Sequence, residues 1–404
     1  MTEQIIREVK RKTLSLMHNV QYHTEKLHLE ALIDKFDPSP IENVPPKKVS
    51  TIAFVITRMV RFHGGQTSIL RLGTALSKLG YHVIYLVYKK QSVSEMKLCA
   101  SSNLADYEGK VASYDAYIEG MNNGKYIVPD IAIASSWDTV PYVKAIEGAY
   151  RMYFVQDYEP YFYAYGEEFL MAKSTYEQGL HMVSLGSWNK DMIERECSVV
   201  SPLDSVSFPY EAKEYPNKER DYNSYADKEK ITVAVYLKFY GKRLPNLIPH
   251  MLKRVAKEFE EKGLTLEVLY YGEAGTFSAE GGTNLGHLNK EELSRLYRRA
   301  DFGMVASMSN ISLVPYEMHA SGLPVIEFKD GTYPYFFPED SAILTYLGDN
   351  ELADKILSAM KNPGVLESMH EKAASCMADL SWESTAKEFD EILKGCVKAE
   401  GEQI

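Results

Sequence analysis

Residues 312–326, SLVPYEMHASGLPVI, read as a short loop, one helical turn carrying a carboxylate at Glu317, and a strand. Loop amides and a helix N-terminus can hold a diphosphate. Glu317, about a turn further on, can accept hydrogen bonds from a ribose hydroxyl. The arrangement suits a nucleotide sugar, with Asn310, Ile311, Ser312 and Leu313 on the loop side of Glu317. The same letters also spell a plain helix-to-strand turn punctuated by Gly322 and Pro324, so the reading needs partners elsewhere in the chain.

Cations are one such partner. After a strand-like ITVAVY comes LKFYGKRLPN and a helix whose first turn accommodates Pro249. Lys238 and Arg243 therefore flank a helix N-terminus. When a glycosyl–phosphate bond breaks, negative charge grows on the nucleoside diphosphate, and fixed cations aimed at it stabilise the transition state more than the ground state. The chain has no Asp-x-Asp motif that would bridge a diphosphate through a metal, so no metal is expected and protein cations take that role.

Two further clusters face sugar chemistry. The stretch YFVQDYEPYFYAYG at 153–166, with SSWDT at 135–139, combines aromatic rings with carboxylates, a composition that stacks on sugars and bonds their hydroxyls. Tyr153 and Phe154 read as core strand residues. Asp157, Tyr158 and Glu159 follow the strand, and with Trp137 and Asp138 they form an expected exposed sugar or acceptor side. The loop RFHGGQTS at 61–68 puts His63, Gly64 and Gly65 ahead of a helix, where a missing Cβ lets backbone approach a phosphate or sugar.

The elements that must position these residues follow the same rhythm twice. Strand-like runs near 49–56, 82–88, 130–136, 151–157 and 181–186 alternate with helical ones, including one from about Thr67 to Leu79. After a polar, Tyr- and Lys-rich linker near 210–229 the pattern resumes with ITVAVY, a helix to about Lys262, LTLEVLYYG and DFGMVAS. Asn289 with Glu292 three residues on spells a capping box, and Ser381 is an expected N-cap. The expected class is α/β: two Rossmann-like parallel-sheet domains facing a cleft, at 48–209 and 210–380. Residues 381–395 form a helix crossing back to the first domain. Residues 1–47 are expected to be a helical extension, with apolar positions such as Ile6, Val9, Leu16 and Leu32 at helical intervals, ended by the proline-rich DPSPIENVPP.

Length and charge bound the function. The 404 residues suffice for two cores. A net charge of −11 lacks the basic footprint of a general nucleic-acid binder. Cys99, Cys197, Cys376 and Cys396 have no paired spacing, which fits a reducing cytoplasm. No run approaches the roughly 18 apolar residues of a membrane span, and the N-terminus lacks the apolar core of a signal peptide. Any membrane contact is then peripheral, at the inner face. Arg7, Lys10, Arg11 and Lys12 could touch anionic lipid, although a solvated helix face explains them as well.

At Glu317 the chain resembles the retaining, family 4-like glycosyltransferases of the GT-B fold, in which an acidic residue precedes Ala-x-Gly-x-Pro-Val, here Ala320 to Val325. The family usually has another Glu eight residues earlier, where this chain has Ser309. Lys238 and Arg243 resemble its Arg/Lys pair, and His287 and Leu288 its base-contacting loop, with Gly272 ending a strand beside the nucleotide. The run Val155-Gln156-Asp157-Tyr158-Glu159-Pro160 looks like one in bacterial rhamnosyltransferases that build cell-surface polysaccharide such as S-layer glycan. The resemblance spans about 49–395. It implies dTDP-L-rhamnose as donor, bound mainly by the second domain, a saccharide acceptor, free or lipid-linked, on the first, a retaining outcome, and no cofactor. If the outcome were inverting, Asp157, Glu159 or His63 would be the base. A nucleotide-sugar 2-epimerase of the same fold and a non-catalytic sugar-binding scaffold remain alternatives, as does a homodimer.

Overall fold

Among the described residues of the computed structural model there are thirteen strands, all paired in parallel, and β-branched and aromatic runs form the central ones. The structure describes residues 26, 29–211, 214–215, 220–239, 241–273 and 280–397. Most of the expected N-terminal helical segment, including Ile6, Val9, Leu16 and the basic cluster, lies outside the described residues.

The first sheet contains β1 (Thr51–Ile56), β2 (His82–Val87), β3 (Lys110–Ser113), β4 (Ile131–Ala134), β5 (Tyr150–Val155), β6 (His181–Leu185) and β7 (Leu203–Val206), in the order β3-β2-β1-β4-β5-β6-β7. Its helices are α1 (Gly64–Lys78), α2 (Val93–Asn103), α3 (Tyr114–Asn122), α4 (Val140–Lys144), α5 (Glu167–Thr175) and α6 (Ser187–Glu196). Every residue of β1, β4 and β6 is buried, because helices cover both faces of a parallel sheet.

The second sheet contains β8 (Lys230–Tyr236), β9 (Thr265–Tyr271), β10 (Thr283–Asn284), β11 (Phe302–Met304), β12 (Val325–Phe328) and β13 (Ile343–Thr345), in the order β10-β9-β8-β11-β12-β13. Its helices are α7 (Leu247–Glu261), α8 (Lys290–Arg299), α9 (Leu313–Ala320), α10 (Leu352–Lys361) and α11 (Pro363–Met377), followed by α12 (Trp382–Gly395). In each sheet the strand order reverses beside the first strand, at β1/β4 and β8/β11. Such switch points open a crevice at the carboxyl ends of the strands, where open α/β sheets bind ligands.

Sequence signals explain several boundaries. Asn289 and Glu292 form the expected capping box at α8, with Glu292 N donating to Asn289 Oδ1 at 3.0 Å and Asn289 N donating to Glu292 Oε2 at 2.8 Å. Ser381 caps α12, and Ser384 completes its box. Helix α1 begins at Gly64 rather than Thr67, because His63 is its N-cap and both glycines adopt helical backbone. Glu317 lies on a helix of two turns, longer than the single turn expected.

Helix α12 packs on the first domain. Phe389 meets Phe154 at 6.0 Å between ring centres, Tyr81 OH donates to Asp390 Oδ1 at 2.5 Å, and Ser207 N donates to Glu388 Oε2 at 2.6 Å. Trp382 is buried there, as a packing residue. The proline-rich connector is bound rather than free: Ile41 N donates to Gln178 O at 2.9 Å and Asn43 Nδ2 to Arg151 O at 2.8 Å. Leu32 packs beside Trp137 and Met171. Among the described residues, no helix is long and apolar enough to cross a membrane.

Candidate active site

The loop after β8 brings the cations into the crevice. A tight turn at Gly241–Arg243, followed by Leu244 at φ +49°, sends neighbouring side chains to different targets. Arg243 turns inward, buried, and its Nη1 donates to Ala306 O at 2.6 Å beyond the end of β11. Its guanidinium lies 5.4 Å from the centre of the Tyr236 ring. That ring is seated by Gly272, whose added Cβ would stand 2.5 Å from Tyr236 Cε2. Gly272, expected beside a nucleotide, thus makes room for the ring under Arg243.

Lys242, not among the residues expected from sequence, points across the cleft. Its Nζ lies 3.0 Å from Asp157 Oδ1 and 4.0 Å from the centre of the Phe162 ring. Burial holds the Lys242 ammonium below its ordinary pKa, Asp157 pulls it back up, and Arg243 adds a like-charge push downward. Lys238 is half-buried and is also lowered, by burial first and by Arg243, with Glu273 opposing.

On the facing loop His63 caps α1, its Nδ1 accepting from Gln66 N at 3.4 Å while its own backbone N–H donates to Asn103 Oδ1 at 2.8 Å. His63 is exposed on one side, but the protein atoms around its ring desolvate it and depress its pKa, the charges on Lys238 and Lys242 add to this, and Asp157 opposes. These four groups from two domains therefore share one electrostatic field. A Cβ added to Gly64 would meet nothing within 4 Å, and one added to Gly65 would stand 3.5 Å from the Gln156 amide oxygen.

Asp157 joins the domains. Besides Lys242, its Oδ1 accepts from Ser309 Oγ at 2.8 Å, and Tyr158 N donates to Ser309 O at 2.9 Å. The Asn310 amide donates to Gln156 O at 2.7 Å and Leu185 O at 2.9 Å, while its Oδ1 accepts from Ile311 N at 2.8 Å. Asn310 and Ile311, expected to contact a donor, are buried and committed to this inter-domain seam.

The expected exposed sugar side is corrected more strongly. Glu159, Tyr158 and Trp137 are buried. Glu159 Oε2 accepts from Trp137 N at 2.6 Å and Tyr153 OH at 2.8 Å. Burial outweighs those bonds and pushes its pKa up to about 8. Trp137 Nε1 donates to Tyr163 OH at 2.9 Å. Asp138 accepts from Thr57 Oγ1 and Tyr88 OH, each at 2.7 Å. The packing of α5 against the loop closes over these groups, leaving Asp157 as the carboxylate of this cluster that meets the cations.

The second half of the site is α9. Ser312 is its N-cap but makes no capping bond, and its Oγ is buried with no partner among the described residues; a helix N-terminus of this kind favours negative charge. Leu313 opens the helix and is half-buried. Glu317, partly buried, accepts from Tyr297 OH at 3.4 Å. Burial lifts its pKa to about 7; the Tyr215 and Tyr297 hydroxyls and Arg71 pull it down, while Glu214 pushes it up. His287 is exposed and Leu288 packs partly into the core below. Among the described residues, no three His, Cys, Asp or Glu side chains are grouped so as to hold a metal ion.

No protein-family model matches the chain. It is 26% identical over 275 residues to the O-antigen biosynthesis protein RfbC of Myxococcus xanthus, a match covering 66% of this chain and 20% of that protein. The chain thus spans about a fifth of the length of this curated relative. Among solved structures, TarM of S. aureus superposes with a TM-score of 0.67 at 10% identity, covering 87% of this chain and 100% of TarM. HepE of Anabaena, solved with UDP-glucose, gives 0.65 at 10% identity over 85% of this chain and 99% of HepE. The two parallel sheets and these superpositions establish that the chain has the GT-B glycosyltransferase fold.

Proposed function

We propose that the chain is a cytoplasmic glycosyltransferase that moves L-rhamnose from dTDP-L-rhamnose to a saccharide acceptor in the assembly of a bacterial cell-surface polysaccharide, with retention and without a metal ion. The observation that carries this reading is the loop after β8, whose Lys242 and Lys238 share one field with His63 and Asp157 while Arg243, bonded to Ala306 O, adds its charge to both lysines. A binding scaffold has no need of charges arranged to stabilise a leaving group. The O-antigen relative supports the polysaccharide context, and HepE, bound to UDP-glucose on the same fold, supports a nucleotide-sugar donor.

On this reading the diphosphate lies at the N-terminus of α9 and the ribose reaches Glu317. As the bond between the sugar C1 and the phosphate oxygen lengthens, charge gathers on the diphosphate and the fixed cations hold it without reorganising. The acceptor hydroxyl forms its new bond to C1 on the face the phosphate leaves, and its proton passes to the departing phosphate oxygen. No protein base is then required, which accords with Glu159 being enclosed in the first domain. Closure of the cleft excludes the water that would hydrolyse the donor.

The test is transfer itself. Purified protein in EDTA is incubated with dTDP-L-rhamnose, UDP-glucose or GDP-mannose and bacterial surface saccharides, and products are read by mass spectrometry and NMR. Rhamnose transfer with retained anomeric configuration is expected. Transfer from another donor overturns the sugar, strict dependence on added metal overturns the metal-independent mechanism, and a donor altered without acceptor indicates an epimerase.

A further inference from the structure

Among the described residues, two that are not glycine have positive φ, Phe62 at 55° and Leu244 at 49°, and both lie in loops that carry cleft residues. A bulky L residue in the left-handed region is strained, and it persists there only where its surroundings fix the backbone. At Phe62 they do so from both sides. The Asn103 side chain accepts from His63 N at 2.8 Å and donates to Val60 O at 2.7 Å, bracketing Phe62. The Gln66 side chain accepts from Val60 N at 2.8 Å and donates to Arg58 O at 2.6 Å. The Phe62 ring gains little packing in return, since it is 70% exposed. Two buried amides thus hold an apolar ring in water at a strained backbone, just ahead of His63.

A second exposed ring stands on the loop after β5. The turn Glu159–Phe162 divides the aromatic residues around it. Tyr158 is buried and the Tyr163 hydroxyl is taken by the Trp137 indole, whereas Phe162 is 37% exposed. Lys242 Nζ lies 4.0 Å from the Phe162 ring centre, so this ring borders the cation that pairs with Asp157. Phe62 adjoins His63, which shares an electrostatic field with the same Lys242 and Asp157. Both rings therefore border one cluster of polar and charged groups.

We propose that Phe62 and Phe162 are acceptor-binding residues, the aromatic surfaces against which a sugar ring of the saccharide acceptor stacks. The proposal rests on the glycosyltransferase reading and deepens it by naming what holds the acceptor. A pyranose carries C–H groups on its faces and hydroxyls around its edge, so it needs aromatic surface and polar partners together. Phe62 and Phe162 supply the first; His63, Asp157 and Lys242 supply the second. The hydrocarbon chain of a lipid would instead need continuous apolar surface, which these charges beside the rings interrupt. Because Asn103 and Gln66 already fix the Phe62 loop, little ordering cost falls on binding.

The test titrates the methyl glycosides of L-rhamnose, D-glucose, D-galactose and D-mannose into the full chain with dTDP present, read by saturation-transfer NMR, with farnesyl phosphate as a lipid probe; nucleotide binding is measured separately by calorimetry. Wild type is expected to bind at least one glycoside. Phe62→Ala and Phe162→Ala should each weaken that binding by roughly 5–10-fold, more than they weaken dTDP, and Phe162→Tyr should restore it. Phe62→Gly separates binding from folding: with the positive φ relieved, its melting temperature should hold or rise while glycoside binding still falls. Glycoside binding that is absent in wild type, or unmoved in the alanine variants, overturns the proposal, and dTDP binding then leaves the transferase reading standing. Loss of farnesyl phosphate binding in place of glycoside binding also overturns it, in favour of a lipid. Wild type that binds none of dTDP, UDP and GDP removes the nucleotide-sugar reading, and this proposal with it. Should Phe162→Ala not fold, the Phe62 variants decide the matter.

Discussion

Lys242 of the second domain and Asp157 of the first form a 3.0 Å ion pair across the cleft, and Ser309 donates to the same carboxylate oxygen. Burial alone would strip the Lys242 charge at lower pH; Asp157 keeps it on. In Lys242→Met, turnover should fall by roughly the 10²–10³-fold seen when one fixed charge stabiliser is lost. In Asp157→Asn, the alkaline limb of the pH–kcat profile should move to lower pH, because the ammonium then deprotonates more readily. A profile that stays in place would show that Asp157 serves only to join the domains.

Arg243→Ala should lower kcat by roughly 10²–10³-fold, with a modest loss of stability because Ala306 O loses its donor. Arg243→Lys should recover little, since a lysine cannot span the carbonyl and the Tyr236 ring as a planar guanidinium does. Steady-state kinetics with a nucleotide sugar separates the cases, and near-wild-type turnover in the alanine variant would remove Arg243 from catalysis.

Nucleotide affinity should depend on pH through Glu317. Its pKa stands at about 7, chiefly from burial, and a ribose hydroxyl bonds the ionised carboxylate more strongly than the neutral acid. Affinity should therefore be full well above pH 7 and fall as pH drops through about 7. Glu317→Gln should weaken binding by about 1.5–3 kcal/mol at high pH and flatten the dependence. Calorimetry between pH 5.5 and 8.5 with an intact nucleotide sugar, whose diphosphate does not titrate there, reads both effects.

Two enclosed carboxyls set a separate pH dependence, that of stability. Relative to an ordinary value of 4.5, burial raises Glu159 to about 8 and Glu327 to about 7. The folded state thus favours their neutral forms, so their contribution is complete below about pH 4.5 and declines as pH rises to about 8. The decline for each carboxyl is at most about 1.4 kcal/mol for every pH unit between its ordinary and its buried value. Glu159→Gln retains an oxygen to accept from Trp137 and Tyr153. Relative to wild type it should gain melting temperature at pH 8.5 compared with pH 5.5.

Much of the frame was legible because local physics wrote it. β-Branched runs gave the central strands, and Asn289 and Ser381 marked helix starts with hydroxyl or amide caps. The polar edge strand Lys110–Ser113 and the two-residue Thr283–Asn284 carry no such pattern and exist through their neighbours. The site was less legible because its key pairs are distant in sequence: Asp157 and Lys242 are 85 residues apart. Lys238 and Arg243 were legible as cations before a helix, whereas Lys242 was not, because only the tight turn at Gly241–Arg243 aims it at Asp157. Asp157 and Glu159 likewise look equivalent after a strand, yet Trp137 and Tyr153 draw Glu159 inside.

Calorimetric binding of dTDP, UDP and GDP, and of their rhamnose, glucose and mannose conjugates, in EDTA tests the central claim most directly, since it needs no acceptor. The account predicts that dTDP and dTDP-L-rhamnose bind without metal, selectively over the others, and that Glu317→Gln weakens both. Binding of no nucleotide, or binding that Glu317→Gln leaves unchanged, would contradict it.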